Sequence, residues 1–276
     1  LLFASLFPTI SYMGVVISAS YNIKEEIKII FFTFLGFGFL GLFDDFVKLF
    51  GKMEAGNMGM WVGLKRKQKF ALQWVIALTA AYMLYNNLDI QIVHIPVIER
   101  VFDMGWFYIP FAAFTIVSFA NAYNITDGLD GLAAGLLVIC LFAFWMIAAA
   151  TLDTPLSIFI ALWIGSLMAF LYFNVFPARI FMGDAGALAF GATLAVVGLL
   201  TGKIFALIII GGIFIIEALS SLVQIFGWRV LKRAILPIAP VHLLFQVRKW
   251  EEPKIVMRAW LAGIMLAVFG LWLAVI

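Results

Sequence analysis

The stretch FYIPFAAFTIVSFANAYNITDGLDGLAAGLLVICLFAFWMIAAA, Phe107–Ala150, places two long apolar runs on either side of a short polar segment. The runs, Phe107–Ala120 and Leu132–Ala150, approach the roughly 20 residues that cross a bilayer as a helix. The segment between them, Asn121–Gly131, concentrates two asparagines, two aspartates and two glycines in eleven residues. The stretch therefore predicts two membrane helices joined by a loop with more polar groups than a turn needs.

The composition extends this prediction to the whole chain of 276 residues, which is 65% hydrophobic and 12% charged. Soluble domains are closer to half apolar and about a quarter charged. We expect one all-α, polytopic integral membrane domain over residues 1–276, with about nine or ten transmembrane helices and an active-site cleft at the cytoplasmic face. The single cysteine, Cys140, excludes a disulfide framework and a cysteine metal site. No segment suggests nucleic-acid binding or a cleavable signal peptide.

Nine apolar spans are predicted: Leu1–Ser20, Ile27–Phe43, Phe70–Tyr85, Gly105–Ala120, Leu132–Ala150, Leu156–Phe173, Ala187–Leu200, Ile204–Phe226 and Arg258–Ile276. The loops then alternate between two sides, and thirteen of the eighteen basic residues fall on one of them. The positive-inside rule makes that side cytoplasmic. It also carries every unusual polar motif. On the other side, Ile90–Ile98 is expected to form a short hairpin or a surface-lying segment.

Asp44 and Asp45 lie together at the cytoplasmic end of the second span. An aspartate in mid-membrane costs roughly 2.5–3.5 kcal/mol, and less near the interface. The pair either marks the membrane edge or serves chemistry, because two carboxylates suit a divalent cation or a general base.

Two further loops carry carboxylates. In Asn121–Gly131, Asp127 and Asp130 share a face if the segment is helical, or Asp130 caps the following helix, while the glycines allow close approach of a ligand or another backbone. In Asn174–Gly186, Asp184 either caps a helix or binds a hard metal, with phosphate favoured at the helix N-terminus.

Histidine and glutamate mark two other positions. His242 lies in the proline-rich basic loop that begins at Pro237, where it is either a phosphate contact or a packed neutral side chain. Glu217 lies inside an apolar run, on one face with Gln224, and is either functional or an interhelical packing contact. Oxygen ligands beside basic residues indicate a magnesium-dependent phosphoryl-type transferase that acts on a lipid.

At these positions the chain resembles the polyprenyl-phosphate N-acetylhexosamine-1-phosphate transferase superfamily, and within it the phospho-MurNAc-pentapeptide translocase family. The similar segments occur in family order: Gly41–Lys48, Gly63–Lys69, Asn121–Gly131, Phe173–Gly186, Glu217–Gln224, Ala239–Phe245 and Arg258–Trp260. The resemblance implies transfer of phospho-MurNAc-pentapeptide from UDP-MurNAc-pentapeptide to undecaprenyl phosphate, giving lipid I and UMP with Mg²⁺ as cofactor, at the bacterial inner membrane.

By the same resemblance, Asp44 is the expected base or nucleophile, Asp45 supports it or the metal, and Asp184 is the magnesium ligand. His242 and Lys48 contact phosphate or shape the site, and Phe181 stacks on uracil. The expected substrate-binding residues are Lys48, Asn121, Asn124, Asp127, Gly128, Leu129, Asp130, Asn174, Phe181, Glu217 and Gln224. The sequence leaves the oligomeric state open, and a homodimer is one candidate assembly.

The chain departs from the family at two places. His242-Leu243-Leu244 stands where the family has three histidines, and only Pro8-Thr9 and Met13-Gly14 resemble an early cytoplasmic motif, so a loop near Pro8 is expected to be missing. Two alternatives stay open: a relative that uses UDP-GlcNAc, and a cation-coupled secondary transporter. The transporter is disfavoured because, among acidic residues away from the outer side, only Glu217 lies deep in a span.

Overall fold

The computed structural model describes residues 23–50, 65–96 and 100–275. The helices there are α1 (Ile23–Phe50), α2 (Arg66–Asn87), α3 (Tyr108–Thr126), α4 (Leu132–Ala150), α5 (Thr154–Asn174), α6 (Gly183–Leu200), α7 (Ile204–Ile210), α8 (Gly212–Phe226), α9 (Val241–Val247) and α10 (Glu252–Val275). Two short strands are β1 (Ile92–Ile95) and β2 (Arg100–Asp103). The predicted span Leu1–Ser20, with the region around Pro8, lies outside the described residues.

Seven helices in the described part of the chain are long and apolar enough to cross a membrane: α1, α3 with the turn before it, α4, α5, α6, α8 with the turn after it, and α10. The prediction of an all-α, multi-pass membrane protein is therefore confirmed. Helix α2 has the length, with 22 residues, but polar residues occupy both of its ends.

The region Ile204–Phe226, predicted as one span, consists of two helices that meet at Gly211. An ideal Cβ at Gly211 would lie 2.6 Å from the ring of Phe119, so glycine permits a close approach to α3 at this point. Helix α7 packs mainly on α10, whereas α8 packs mainly on α3. The break at Gly211 therefore lets the two halves of Ile204–Phe226 pack on different helices.

Five helices extend further toward the predicted cytoplasmic side than the apolar pattern indicated, since α2, α6 and α10 begin earlier than predicted and α1 and α3 end later. Helix α1 continues past Phe43 to Phe50, and α3 continues past Ala120 to Thr126. Asp44, Lys48 and Asn124, expected in loops, thus lie on helices. Because apolar periodicity stops where a helix leaves the hydrocarbon, it underestimates helices that carry polar site residues.

Of the two structures expected for Ile90–Ile98, a hairpin is present, but the segment supplies only its first strand, and the second strand lies beyond Ile98. Strands β1 and β2 pair in antiparallel register, with Ile92 opposite Asp103 and Ile95 opposite Arg100. The hairpin lies at the end of α2, away from the polar motifs, and therefore does not contribute to the site.

Helix α6 is the centre of the bundle and packs most extensively on α1 and α3. Small residues bring the backbones close, as is common between membrane helices. An ideal Cβ at Gly41 of α1 would overlap the carbonyl oxygen of Asp184, and one at Gly191 of α6 would overlap the carbonyl oxygen of Phe119. The N-terminus of α6 is consequently held between the ends of α1 and α3.

Candidate active site

Five charged side chains meet where the ends of α1, α2 and α6 converge. Asp44 Oδ2 lies 3.0 Å from Lys48 Nζ and 2.9 Å from Lys69 Nζ. Asp184 Oδ2 accepts from the same two ammonium groups, at 2.6 Å from Lys48 and 2.5 Å from Lys69. Asp45 Oδ1 accepts from Lys48 Nζ at 3.2 Å. The two lysines therefore join all three aspartates into one cluster.

Local structure explains how α1 and α6 present these groups. Asp44 and Lys48 are one helical turn apart, so they share a face of α1. The other carboxylate oxygen of Asp45, Oδ2, accepts from the backbone N–H of Ala185 at 3.2 Å, and thus satisfies one free donor of the first turn of α6. Gly183, with φ of +66°, provides the left-handed backbone at that point.

The two predicted asparagines of α3 have different partners. Asn124 Nδ2 donates to Asp184 Oδ1 at 2.9 Å, which connects α3 directly to the charged cluster. Asn121 Nδ2 donates instead to Gln73 Oε1 of α2 and to the carbonyl of Val117, both at 2.8 Å. Asn121 therefore ties α3 to α2 behind the cluster.

A cavity of about 260 Å³ opens beside Asp184. It is lined by ten residues: Asn124, Asp127, Gly128, Leu129, Asp130, Asn174, Phe181, Gly183, Asp184 and Ala187. Eight of these were predicted as site residues from the sequence. The ring of Phe181 is 74% exposed, so it is available to stack on a flat ligand at the edge of the cavity.

The loop that follows α3 is fixed from several directions. Asp130 Oδ2 accepts from the backbone N–H of Ala178 at 2.8 Å, so this side chain does not cap α4. Asn174, only 4% exposed, accepts from Gly131 N and donates to the carbonyl of Ile180. Asn174 therefore shapes the wall of the cavity by joining two loops.

Helix α10 supports the same loop from behind. Glu252 Oε1 accepts from the backbone N–H of Asp130 at 2.7 Å. Trp260 Nε1 donates to the carbonyl of Gly131 at 3.2 Å, and its indole ring lies where a side chain at Gly135 would be.

Asp127 has an altered affinity for protons. Burial raises the pKa of its carboxyl from 3.8 to about 6, and the negative charge of Asp184 adds to the rise. The neutral and the ionised forms are therefore both accessible near physiological pH.

Besides Asn121, three predicted residues belong neither to the cavity wall nor to the charged cluster: Glu217, Gln224 and His242. Glu217 of α8 is buried and accepts from His242 at the start of α9, from the backbone N–H at 3.1 Å and from the ring at Nδ1 at 3.1 Å. Gln224 Oε1 accepts from the backbone N–H of Leu236 at 2.9 Å. His242 lies behind Gly128, where an ideal Cβ would be 2.5 Å from Nε2 of the ring.

The cluster has the donor chemistry of a site for a hard divalent cation. One carboxylate oxygen from each of Asp44, Asp45 and Asp184 lies within 4.8 Å of the other two. Oxygen ligands of this kind suit Mg²⁺ or Ca²⁺. Lys48 and Lys69 both bind Asp184 Oδ2, so a divalent cation at this oxygen has to displace their ammonium groups.

Sequence reasoning missed four residues that build the site: Lys69, Gln73, Glu252 and Trp260. Lys69 and Trp260 lie in segments that resemble the family, but neither was given a role. Nothing in the spacing of Gln73 or Glu252 points to a partner, since their partners Asn121 and Asp130 are distant in the chain.

Comparison with known proteins agrees with these features. The glycosyl transferase family 4 model matches residues 27–202. Proteins named phospho-N-acetylmuramoyl-pentapeptide-transferase are similar over most of the chain. That of Oceanobacillus iheyensis is 36% identical, covering 92% of this chain and 76% of the relative. That of Bacillus subtilis is 37% identical with the same coverage. That of Caldanaerobacter subterraneus is 38% identical, covering 83% and 70%. The resemblance seen in the motifs is confirmed, and the chain belongs to the phospho-N-acetylmuramoyl-pentapeptide-transferase family within glycosyl transferase family 4.

Proposed function

We propose that the protein transfers phospho-MurNAc-pentapeptide from UDP-MurNAc-pentapeptide to undecaprenyl phosphate, forming lipid I and releasing UMP for peptidoglycan synthesis. The observation that carries the proposal is that Asp184 belongs both to the charged cluster and to the wall of the cavity. A nucleotide held in the cavity therefore has its diphosphate beside three carboxylates and two lysines. Membership of the family supports the choice of substrates.

The uridine end of the donor occupies the cavity in this proposal. Phe181 stacks on uracil, while Asp127 and the backbone of Gly128 and Leu129 face the nucleoside. Asn174 and Asp130 act through the loops that they hold. Asn124 positions Asp184 rather than the nucleoside, because its amide donates to that carboxylate.

Magnesium fits the cluster, with Asp184 as the principal ligand and Asp44 and Asp45 beside it. When bound, it supplies positive charge that offsets the diphosphate. Lys48 and Lys69 supply further positive charge from this chain itself. Their ammonium groups now bind Asp184 Oδ2, and we expect them to transfer hydrogen bonds to phosphate oxygens when the donor arrives.

The reaction is a direct displacement. An oxygen of the lipid phosphate forms a bond to the sugar-proximal phosphorus, and the bond from that phosphorus to the UMP oxygen breaks, with its electron pair leaving on UMP. Asp44, 2% exposed at the end of α1, accepts the proton when the lipid phosphate arrives as a monoanion. A two-step route, in which Asp44 attacks first, uses the same residue as nucleophile.

The site faces the cytoplasm of a bacterial inner membrane in this proposal. The support is the excess of Lys and Arg in the segments on the side of the cluster, which the positive-inside rule assigns to the cytoplasm. UDP-linked donors are cytoplasmic, whereas the polyprenyl acceptor arrives through the membrane.

The test is UMP release from purified protein with undecaprenyl phosphate and either UDP-MurNAc-pentapeptide or UDP-GlcNAc. We expect release with the first donor only, in detergent and without a sealed compartment. Release with UDP-GlcNAc alone would replace the proposed donor, and no release with either would remove the transferase proposal.

The metal assignment has its own test. Asp184→Asn is expected to lower kcat/KM by about 10²–10³-fold, the usual effect of removing one group that stabilises transition-state charge. The variant should also need more Mg²⁺ for half-maximal rate. Asp103→Asn, in the outer hairpin, is the matched control. Unchanged magnesium dependence in Asp184→Asn would remove this residue as the ligand.

A further inference from the structure

Helices α8 and α9 are joined by hydrogen bonds between Glu217 and His242, and these bonds fix which nitrogen of the histidine ring carries the proton. The transfer reaction alone does not require this arrangement. Glu217 is 5% exposed and His242 is 3% exposed, and they are the partners of one another. The Glu217 carboxylate accepts from the backbone N–H of His242 at 3.1 and 3.3 Å and faces Nδ1 of the ring at 3.1 Å. A carboxylate has no hydrogen to donate, so Nδ1 must carry the proton in this contact.

The opposite edge of the same ring reaches the nucleotide loop. A Cβ at Gly128 would lie 2.5 Å from His242 Nε2 and 3.1 Å from Cε1. Gly128 lines the cavity, whereas His242 does not. The histidine ring is therefore packed between a carboxylate in the membrane helix and the backbone of the loop that forms the cavity.

We propose that Glu217 is a positioning residue that holds His242 with the proton on Nδ1, and that the fixed imidazole ring supports Gly128 and so sets the position of the nucleotide loop. His242 then acts on the loop and not on the reacting phosphates. This inference rests on the proposed function only for the identity of the nucleotide that fills the cavity.

The tautomer is measurable directly, because the chain contains only two histidines. Imidazole ¹⁵N spectra of the full protein distinguish protonated from unprotonated ring nitrogens, and His94→Gln assigns the two rings. We expect His242 of the unmodified protein to be protonated at Nδ1. A ring protonated at Nε2 alone would overturn the proposal without any variant.

Glu217→Gln tests whether the carboxylate of Glu217 is what keeps the proton on Nδ1 of His242. Glutamine keeps the shape but has one acceptor oxygen and an NH₂ group. With the oxygen on the backbone N–H of His242, the NH₂ faces Nδ1, so the proton is expected to move to Nε2 and toward Gly128. UMP binding should weaken about tenfold, as for the loss of one well-placed polar contact. Ser221→Ala, which loses only a bond to the carbonyl of Glu217, is the control and should bind UMP normally.

The contact between the His242 ring and Gly128 is tested by enlarging the side chain at residue 128 and shortening the one at residue 242. Gly128→Ala should weaken UMP binding, because its methyl group meets the ring. His242→Asn should also weaken it, since the amide keeps the bond to Glu217 but leaves the loop unsupported. In the double variant the methyl group occupies the vacated space, and we expect UMP affinity closer to that of the unmodified protein than in either single variant.

Three results from the variants would also overturn the inference: an unchanged tautomer in Glu217→Gln, additive losses of UMP affinity in the double variant, or a His242→Asn variant with normal UMP affinity and a much reduced kcat. The last would make His242 a catalytic residue. Because UMP binding and the spectra need no turnover, they can succeed even if the protein fails to use the proposed donor.

Discussion

Lys69 and Asp184 are 115 residues apart in the chain, yet Nζ of Lys69 lies 2.5 Å from Oδ2 of Asp184. This bond joins the first turn of α2 to the first turn of α6. It also brings a second ammonium group to a carboxylate that already binds Lys48. The structure thereby makes Lys69 part of the site, although the sequence pattern gave it no role.

Replacing Lys69 by glutamine should lower kcat/KM by about 10²–10³-fold, because one of two ammonium groups near the diphosphate is lost. Steady-state UMP release measures the effect. Lys67→Gln is the matched control, since Lys67 is exposed on the same helical turn. Equal rates in the two variants would show that the charge of Lys69 does not contribute to the reaction.

The close approach of α1 to α6 depends on Gly41. Gly41→Ala should lower the free energy of unfolding by about 1–3 kcal/mol through overpacking, because its methyl group overlaps the backbone at Asp184. Activity should fall with it as Asp44 and Asp184 separate. Thermal unfolding in detergent and UMP release report the two effects.

Gly38→Ala provides the comparison for this variant. A Cβ at Gly38 would lie 3.7 Å from the Cβ of Ala189, an ordinary van der Waals distance. This variant should be as stable as the unmodified protein or slightly more stable, since alanine favours a helix. If both glycines tolerate alanine equally, the packing argument is wrong.

The pH dependence of the rate distinguishes whether Asp44 acts as a base or as a nucleophile. The second pKa of a phosphate monoester is about 6, so the lipid phosphate loses its own proton as the pH rises. If Asp44 is a base, the rate defect of Asp44→Asn should shrink by about tenfold or more between pH 5.5 and 8.5. A defect of constant size across this range would favour Asp44 as nucleophile.

Asp127 should make stability depend on pH. Its pKa is about 6 in the folded protein against 3.8 for an ordinary aspartate, so the folded state binds more protons between these values. The contribution of Asp127 to the free energy of unfolding is therefore fully present below about pH 4 and is lost as the pH rises through about 6. Asp127→Asn should raise the free energy of unfolding by about 1–3 kcal/mol at pH 7 and hardly at pH 4.

Unfolding curves of Asp127→Asn and the unmodified protein at pH 4 and pH 7, without nucleotide or metal, measure this difference. The same variant should bind UMP more weakly, because Asp127 faces the cavity. A stability difference that is equal at the two pH values would contradict a raised pKa at Asp127.

The class of protein was predictable because membrane helices are recognised by composition and length alone. Hydrogen bonding within each helix satisfies its own backbone, so local sequence suffices. The polar residues in Asn121–Gly131 and Asn174–Gly186 were recognisable as a site because ionisable groups near a membrane are costly and need a reason. Eight of the ten residues that line the cavity were expected at the site, several of them, such as Leu129 and Phe181, only from the resemblance to the family.

The errors in the predicted helix boundaries have a different origin. The ends of α1 and α3 were placed too early because polar residues interrupt the apolar pattern without ending the helix. The break at Gly211 was missed because the apolar run continues through it. What divides this run is contact with Phe119 on one side and with α10 on the other, and neither contact has a signal in the run itself.

The sequence by itself determined that the chain crosses a membrane several times and carries carboxylates, amides and basic residues at the ends of its helices. Only the tertiary structure decided which of these groups meet. It paired Lys69 with Asp184, placed His242 behind Gly128 rather than in the cavity wall, and engaged Gln224 with a backbone amide. The physical reason is that helix formation is local, whereas the position of a helix end is set by side-chain packing between segments far apart in the chain.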